Sequence, residues 1–231
     1  MKKIQIRGGK SWQESQTLCL AVSMDAPNCA GEYFLAALDF AKATGKEFFV
    51  DLSDTLHIPN LMAEGATRTE ASALATAMGD AWLNAHADYL DGVNIIRWSH
   101  WHNHPDYQEV HQQFQRLYDQ QGKFFTIVNL DADAFIARSP TRNTSQFFQA
   151  SVAYVIDECA GKTLQGRSYP GLGILYPGKE LQCLDATRLG EFAGTPSGLE
   201  NTRHFRYKFE SVSPLATPAR RLAAHPAVSY G

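Results

Sequence analysis

The sequence predicts an α/β protein built on a mostly parallel sheet with helices on both faces. Two observations carry this. From residue 17 onward, short apolar runs rich in strand formers alternate with stretches of helical periodicity, the pattern of strand–helix–strand units wound into a parallel sheet. The chain has 231 residues, 44% hydrophobic and 19% charged, which fits one fairly large domain with a sizeable core. No internal repeat, low-complexity block or interdomain linker divides it, so residues 1–231 read as a single domain.

The elements follow in order. The run Thr17–Val22 reads as a buried strand that stops at Ser23. Residues 30–44 read as a helix with Phe34, Leu35, Leu38 and Ala41 on one face and Gly45 ending it. Glu47–Leu52 is a second strand, feeding the loop Ser53–Asn60. A long helical stretch at about 67–90 carries Ala71, Leu74, Ala75, Met78, Trp82 and Leu83 at helical spacing. Val93–Trp98 is a third strand, and Pro105 opens the next helix, striped by Val110, Phe114, Leu117 and Tyr118. Residues 123–138 fit two assignments. Phe124–Val128 looks like a strand, whereas Phe124, Ile127, Val128 and Phe135 also suit a helix face. Residues 144–164 form a helix, Gly173–Tyr176 a short strand, and Arg203–Val212 a last strand or arm. The stretch 214–231, rich in proline and alanine, reads as a flexible tail.

Composition narrows the function. A net charge of −3 is not that of a general polyanion binder, so contact with nucleic acid would use a local patch. Met1–Arg7 lacks the apolar region of a signal peptide, and no window approaches the length of a membrane helix. The four cysteines, Cys19, Cys29, Cys159 and Cys183, show no Cys-x-x-Cys spacing and read as free thiols in a reducing cytosol. A cytoplasmic protein with no membrane partner is the expectation.

Three places could carry chemistry. Ligands of an open parallel sheet bind beyond the carboxyl ends of its strands, and Ser23 ends the first long apolar strand there. Taken alone, Ser23 fits a plain strand-end serine better than a nucleophile. Tyr154 and Glu158, four apart, project from one helix face. Their neighbours Val152, Val155, Ile156 and Cys159 suggest a mostly buried helix, where a carboxylate needs a partner such as a substrate ammonium. The alternative is a glutamate reaching solvent beside a core tyrosine. Tyr176 ends a strand and is fixed by the Pro177-Gly178 turn, which can aim its hydroxyl at a pocket mouth; Tyr169-Pro170-Gly171 repeats the pattern upstream.

Taken in order, these segments resemble the cyclodipeptide synthases, single-domain Rossmann-like enzymes related in fold to class I tyrosyl- and tryptophanyl-tRNA synthetase catalytic domains. The family's small-x-Ser pattern is matched by Ala21-Val22-Ser23, its Tyr-x-x-x-Glu helix by Tyr154 and Glu158, and its later Tyr-Pro pair by Tyr176-Pro177. Asp54–Asn60, the helix with Ala75, Gly79 and Trp82, and Arg97-Trp98 add support, so the likeness spans about residues 17 to 185. Two departures stand out. Ala21 replaces a frequent glycine. Ala26 and Pro177 stand where the asparagine-bearing subgroup has Asn and His, which places this chain with the Tyr-Pro subgroup.

The resemblance implies a transferase that joins two aminoacyl-tRNAs into a cyclic dipeptide, a 2,5-diketopiperazine, acting as a monomer without cofactor or metal. Ser23 would hold the first aminoacyl group covalently, Tyr154 and Glu158 would bind its α-ammonium, and Tyr176 would orient groups and relay protons. A dipeptidyl-enzyme would then cyclise. Cys19, Ala21, Ala26 and Pro177 would line the amino-acid site, although Cys19 fits plain core equally well, with an apolar first pocket as the expectation. Arg203, Arg206 and Lys208, interleaved with Phe205 and Tyr207, would touch tRNA or form a solvated edge strand; Lys162, Arg167 and Lys179 are similar candidates at the pocket mouth. His100, His102 and His104 invite a metal reading, but a polar loop suits them better. Arg97 would face the ligand edge or pair with an acid. Two other classes compete: a serine hydrolase or acyltransferase drawing a histidine from the 100–104 stretch, although the Gly-x-Ser-x-Gly elbow is missing, and a non-catalytic tRNA- or nucleotide-binding module, although Gly-x-Gly-x-x-Gly is absent.

Overall fold

Strand-forming runs pair into one sheet in a computed structural model of the protein, which describes residues 3–7, 11–24, 26–138 and 144–210. The strands are β1 (Lys3–Ile6), β2 (Thr17–Val22), β3 (Glu47–Leu52), β4 (Asn94–Arg97), β5 (Leu172–Tyr176) and β6 (Thr202–Glu210). They lie in the order β1-β6-β5-β2-β3-β4. Every neighbouring pair is parallel except β1 and β6. The chain runs outward from β2 through β3 to β4, then returns to the other side of β2 with β5. Strand order therefore reverses between β2 and β5, where an open α/β sheet leaves a crevice at the carboxyl ends of its strands.

The helices are α1 (Gly31–Ala43), α2 (Ile58–Ala63), α3 (Arg68–Ala85), α4 (Trp98–His102), α5 (Tyr107–Asp119), α6 (Lys123–Ile136), α7 (Ser145–Ser168) and α8 (Gln182–Arg188). Alternation along β2 divides the core. Leu18, Leu20 and Val22 pack with Phe34, Leu38 and Trp82 of α1 and α3. Cys19 and Ala21 face the opposite layer, with Val110, Val128 and Ile156 of α5, α6 and α7. Helices on both faces explain why β2 reads as a continuous apolar run.

The central support of the second layer is α7. Gly161 packs on Trp98 so closely that a Cβ there would stand 2.4 Å from the indole, and one at Gly166 would stand 2.0 Å from the Gly198 carbonyl oxygen. Small residues let this 24-residue helix sink into the fold, which is why its pattern is only weakly amphipathic.

Several expectations change. Of residues 123–138, Lys123–Ile136 is a helix, because Phe124, Val128 and Ala132 recur every four residues and are all buried. Trp98 opens α4 instead of ending β4, and α5 starts two residues after Pro105. Of the histidine stretch 100–104, His100 and His102 lie in the helical turn α4 and only His104 falls in the loop that follows. An additional strand, β1, pairs with β6, so β6 is no edge strand. The tail 214–231 lies outside the described residues. Among the described residues, no helix is long and apolar enough to cross a membrane.

Candidate active site

A cavity of about 150 Å³ opens at the switch point between β2 and β5. An apolar cavity of about this size holds one benzene-sized group, so the space suits one amino-acid side chain better than a nucleotide. Ala21 and Ser23 line it from β2 and the residue after it, Tyr176 from the end of β5, and Tyr154, Glu158 and Lys162 from α7. The last three recur at four-residue spacing and so form one stripe of that helix.

The turn after Ser23 is tightly held. The Ala26 N–H donates to the Ser23 carbonyl at 3.3 Å, and Trp82 Nε1 donates to the Cys29 carbonyl at 3.0 Å. His86 Nδ1 lies 2.7 Å from the Trp82 carbonyl, so that nitrogen carries the proton, and Nε2 accepts the Gly31 N–H at 2.9 Å. Gly31 has φ +53°, a left-handed conformation that spares α1 a strained start. Trp82 of α3 and His86 just after it thus fix the backbone at Cys29 and Gly31, beyond Ser23.

Each polar group in the cavity has a distinct state. Glu158 is half-buried and makes no hydrogen bond or ion pair among the described residues. Burial pushes its carboxyl up to about 7; Lys162 draws it down, while Glu180, Asp51 and Asp131 push it further up. Burial likewise raises the Tyr176 phenol, although the nearby Ser23 hydroxyl favours the ionised form; Tyr176 therefore stays protonated at neutral pH. The Tyr154 ring stacks on Phe135 at 6.3 Å and tilts against His57 at 5.6 Å. Burial alone would lower the pKa of the Lys162 ammonium, but Asp51, Cys19 and Glu158 together outweigh it and raise the value. Lys162 Nζ lies 2.8 Å from Asp51 Oδ2 and donates to Gln165 Oε1 at 3.1 Å. Gln165 Nε2 and Trp101 Nε1 also donate to Asp51, at 2.9 and 3.0 Å.

Other residues singled out in the sequence lie elsewhere. Cys19 is fully buried in the core and does not line the cavity; burial, then the Asp51 charge, pushes its thiol upward. Ala26 and Pro177 sit in the turns beside the cavity without lining it. Tyr169 packs on Phe49, 4.8 Å between centroids, so only the second Tyr-Pro-Gly faces the cavity. Arg203 stands on the opposite face of β6 from Arg206 and Lys208, as strand alternation requires. It pairs with Glu14, while Arg206 donates to the Pro177 carbonyl at 3.4 Å. Lys179 lines the cavity, whereas Arg167 pairs with Asp106 at 3.2 Å. Arg97 is held by Asp54 at 2.6 Å and Asp80 at 2.5 Å.

The histidines 100–104 do not line the cavity. His102 Nε2 lies 2.9 Å from Asp157, the His100 ring meets Trp101 edge-on at 4.8 Å, and His104 accepts the Asp106 N–H. Among the described residues, no three His, Cys, Asp or Glu side chains stand together as metal ligands. Lining residues not found from the sequence include Ser53, His57 and Arg138, and on the far wall Glu180, Arg188, Thr202 and His204. Two of them carried a signal: His57, within the Asp54–Asn60 stretch, and Glu180, through its place in the Pro-Gly-Lys-Glu run after Tyr176.

No protein-family model matches the sequence, and no curated protein is detectably similar to it. Solved structures are. A CDPS (cyclodipeptide synthase) from Fluoribacter dumoffii shares 23% identity at a TM-score of 0.79, over 91% of this chain and 98% of that one. A cyclodipeptide synthase from Bacillus thermoamylovorans shares 18% at 0.72, over 91% and 97%. The enzyme from Candidatus Glomeribacter gigasporarum, solved bound to Phe-tRNAPhe, shares 17% at 0.64, over 91% and 93%. Across nine-tenths of its length, the chain has the Rossmann-like fold of the cyclodipeptide synthases.

Proposed function

We propose that the protein is a tRNA-dependent cyclodipeptide synthase of the Tyr-Pro subgroup, a monomeric cytoplasmic enzyme that joins two aminoacyl groups through a covalent aminoacyl-Ser23. The observation that carries this reading is the convergence of Ser23, Tyr154, Glu158 and Tyr176 on one cavity, on a fold shared with enzymes of that activity. The tRNA carried by one such enzyme supports charged tRNA as the substrate.

The chemistry balances without an outside energy source, because an aminoacyl ester is already activated. Ser23 Oγ attacks the ester carbonyl carbon of the first aminoacyl-tRNA, the bond to the ribose oxygen breaks, and the leaving hydroxyl takes the serine proton. Tyr176, protonated and beside Ser23, is placed to pass that proton. Glu158 binds the α-ammonium, a charge-assisted contact that turns the carbonyl toward the serine. With its carboxyl poised at about 7, Glu158 also takes the ammonium proton. The freed amine attacks the second aminoacyl-tRNA, releasing its tRNA and leaving a dipeptidyl-Ser23. The terminal amine then attacks the serine ester, closes the six-membered ring and regenerates the hydroxyl.

The test is incubation of the protein with tRNA charged with all twenty amino acids, followed by mass spectrometry of acid-quenched protein and of small products. A diketopiperazine and a protein adduct of one aminoacyl mass are expected. Ser23→Ala should lose the adduct and more than 99% of product; an intact adduct in Ser23→Ala would remove the serine from the reaction.

A further inference from the structure

The mechanism above uses the mouth of the cavity and leaves its far wall unassigned. That wall is formed where β5 pairs with β6 and α8 closes over them. Ile174 lies opposite His204 in the register and Leu172 opposite Thr202, so His204 and Thr202 share the sheet face that looks toward α7. An amino acid whose ammonium sits on Glu158 and whose carbonyl sits at Ser23 can direct its side chain toward this wall, where Ile174 and Leu184 also line the cavity.

Two cations border this side of the cavity, Arg188 on the far wall and Lys162 on α7, each matched by a carboxylate. Arg188 forms a two-pronged pair with Glu180, donates to Thr202 Oγ1 at 3.4 Å and reaches Asp185 at 3.3 Å. Lys162 is held by Asp51 at 2.8 Å. An acidic side chain entering here would find both of these cations already paired, while Lys179 and Arg138 also line the cavity.

His204 is the exception. It lines the cavity with its side chain 11% exposed and makes no hydrogen bond among the described residues. Its Nδ1 stands 3.8 Å from Glu180 Oε2, beyond hydrogen-bond reach. Its ring meets that of Tyr176 edge-on at 6.3 Å, which puts it within one side chain's length of the reacting groups. Burial, then the Arg188, Lys162 and Arg206 charges, pushes the imidazole down to about 4. At neutral pH it therefore carries one N–H donor and one lone pair, and its contact with Glu180 is not an ion pair.

We infer that His204 is a specificity-determining residue: it hydrogen-bonds the side chain of the first amino acid, which is neutral and polar, with a hydroxyl or carboxamide group. The inference rests on the synthase reading and adds the substrate class to it. It also replaces the apolar first pocket expected from the small residues at 19, 21 and 26. A buried hydrogen-bonding group discriminates strongly, because an apolar competitor leaves it unpaired.

The experiment is competitive loading. Wild type, His204→Leu and His204→Gln are each mixed with tRNA charged with all twenty amino acids, and the aminoacyl-enzyme is quenched and identified by mass. Wild type should carry a hydroxyl or carboxamide amino acid at least tenfold over any aliphatic one. His204→Leu should shift that ratio at least tenfold toward aliphatic residues, and His204→Gln should keep the polar preference. An aliphatic adduct on wild type, or an unchanged profile in His204→Leu, overturns the assignment. If no variant forms an adduct or product, the synthase reading itself fails. Thermal shift with L-glutaminamide, L-serinamide and L-leucinamide then decides the site without catalysis. The polar amides should stabilise wild type and not His204→Leu; equal shifts in both proteins reject His204 as the determinant. Melting of each variant alone, followed by circular dichroism, confirms that it is folded.

Discussion

Asp157 and Glu158 are adjacent carboxylates on the same buried helix, yet their surroundings could hardly differ more. Asp157 accepts hydrogen bonds from Trp98 Nε1 at 3.3 Å and Tyr107 Oη at 2.9 Å, and lies 2.9 Å from His102 Nε2. It ties α4 and α5 to α7, and burial together with its charge pushes the Tyr107 phenol upward. Glu158, turned by about 100° around the helix, faces the cavity and has no such partner among the described residues. A buried carboxylate surrounded by donors stabilises its neighbours. A half-buried carboxylate without them is costly to keep and marks a place where a ligand supplies the missing charge.

The largest effect should come from the unpartnered member. Glu158→Gln keeps the size of the side chain and removes the negative charge that holds the ammonium. Formation of the aminoacyl-enzyme should slow by about 10³-fold, or ~4 kcal/mol of barrier, measured by quench-flow with a single charged tRNA. The melting temperature should hold or rise, because the variant no longer buries an unpaired ionisable group. Equal losses of rate from Glu158→Gln and Asp157→Asn would erase the distinction between the two positions.

Asp157→Asn should invert that pattern. The carboxamide presents an NH₂ toward groups that are themselves donors, leaving at least one of them unpaired. The cost is about 2 kcal/mol, a fall of roughly 4–8 °C in melting temperature for a domain of this size. Turnover measured well below that melting point should drop less than tenfold. Calorimetry and a rate assay on the same preparation separate the two outcomes.

This contrast also marks how far the sequence could be read. The strands Thr17–Val22 and Glu47–Leu52 emerge with their observed ends, because both faces are covered and the apolar signal is unbroken. The placing of Ser23, Tyr154, Glu158 and Tyr176 was legible because each is tied to a strand end or a helix period. What failed depended on pairing between distant segments. Lys3–Ile6 is short, alternates in exposure and is a strand only because Tyr207–Glu210 lies beside it. Grouping Arg203 with Arg206 and Lys208 treated a strand as if its residues shared one face. The far wall escaped because Glu180, Arg188 and His204 meet only once β6 has docked on β5 and α8 has closed over them. No local pattern records that meeting.

The smallest expected effect concerns protons, and it separates the carboxylates again. The Glu158 carboxyl rises from 4.5 to about 7 on folding, so between these values the native state binds more protons than the unfolded chain. Its contribution to stability is fully present below about pH 4.5 and is lost as pH rises through 7. That loss is at most about 3 kcal/mol, reduced by whatever solvent reaches the group. Ligand binding runs the opposite way. A substrate ammonium favours the ionised carboxylate, so binding releases a proton and strengthens as pH rises. At pH 6 roughly nine-tenths of Glu158 is protonated, and loading should be about tenfold slower than at pH 8. Wild type should therefore lose stability and gain loading rate over the same interval. In Glu158→Gln both slopes should shrink, whereas Asp157→Asn should retain them. Denaturant melts and loading rates at pH 6, 7 and 8, taken as differences between wild type and each variant, cancel the titration of all other groups. A variant at position 158 that keeps both slopes would move the titrating group elsewhere in the cavity.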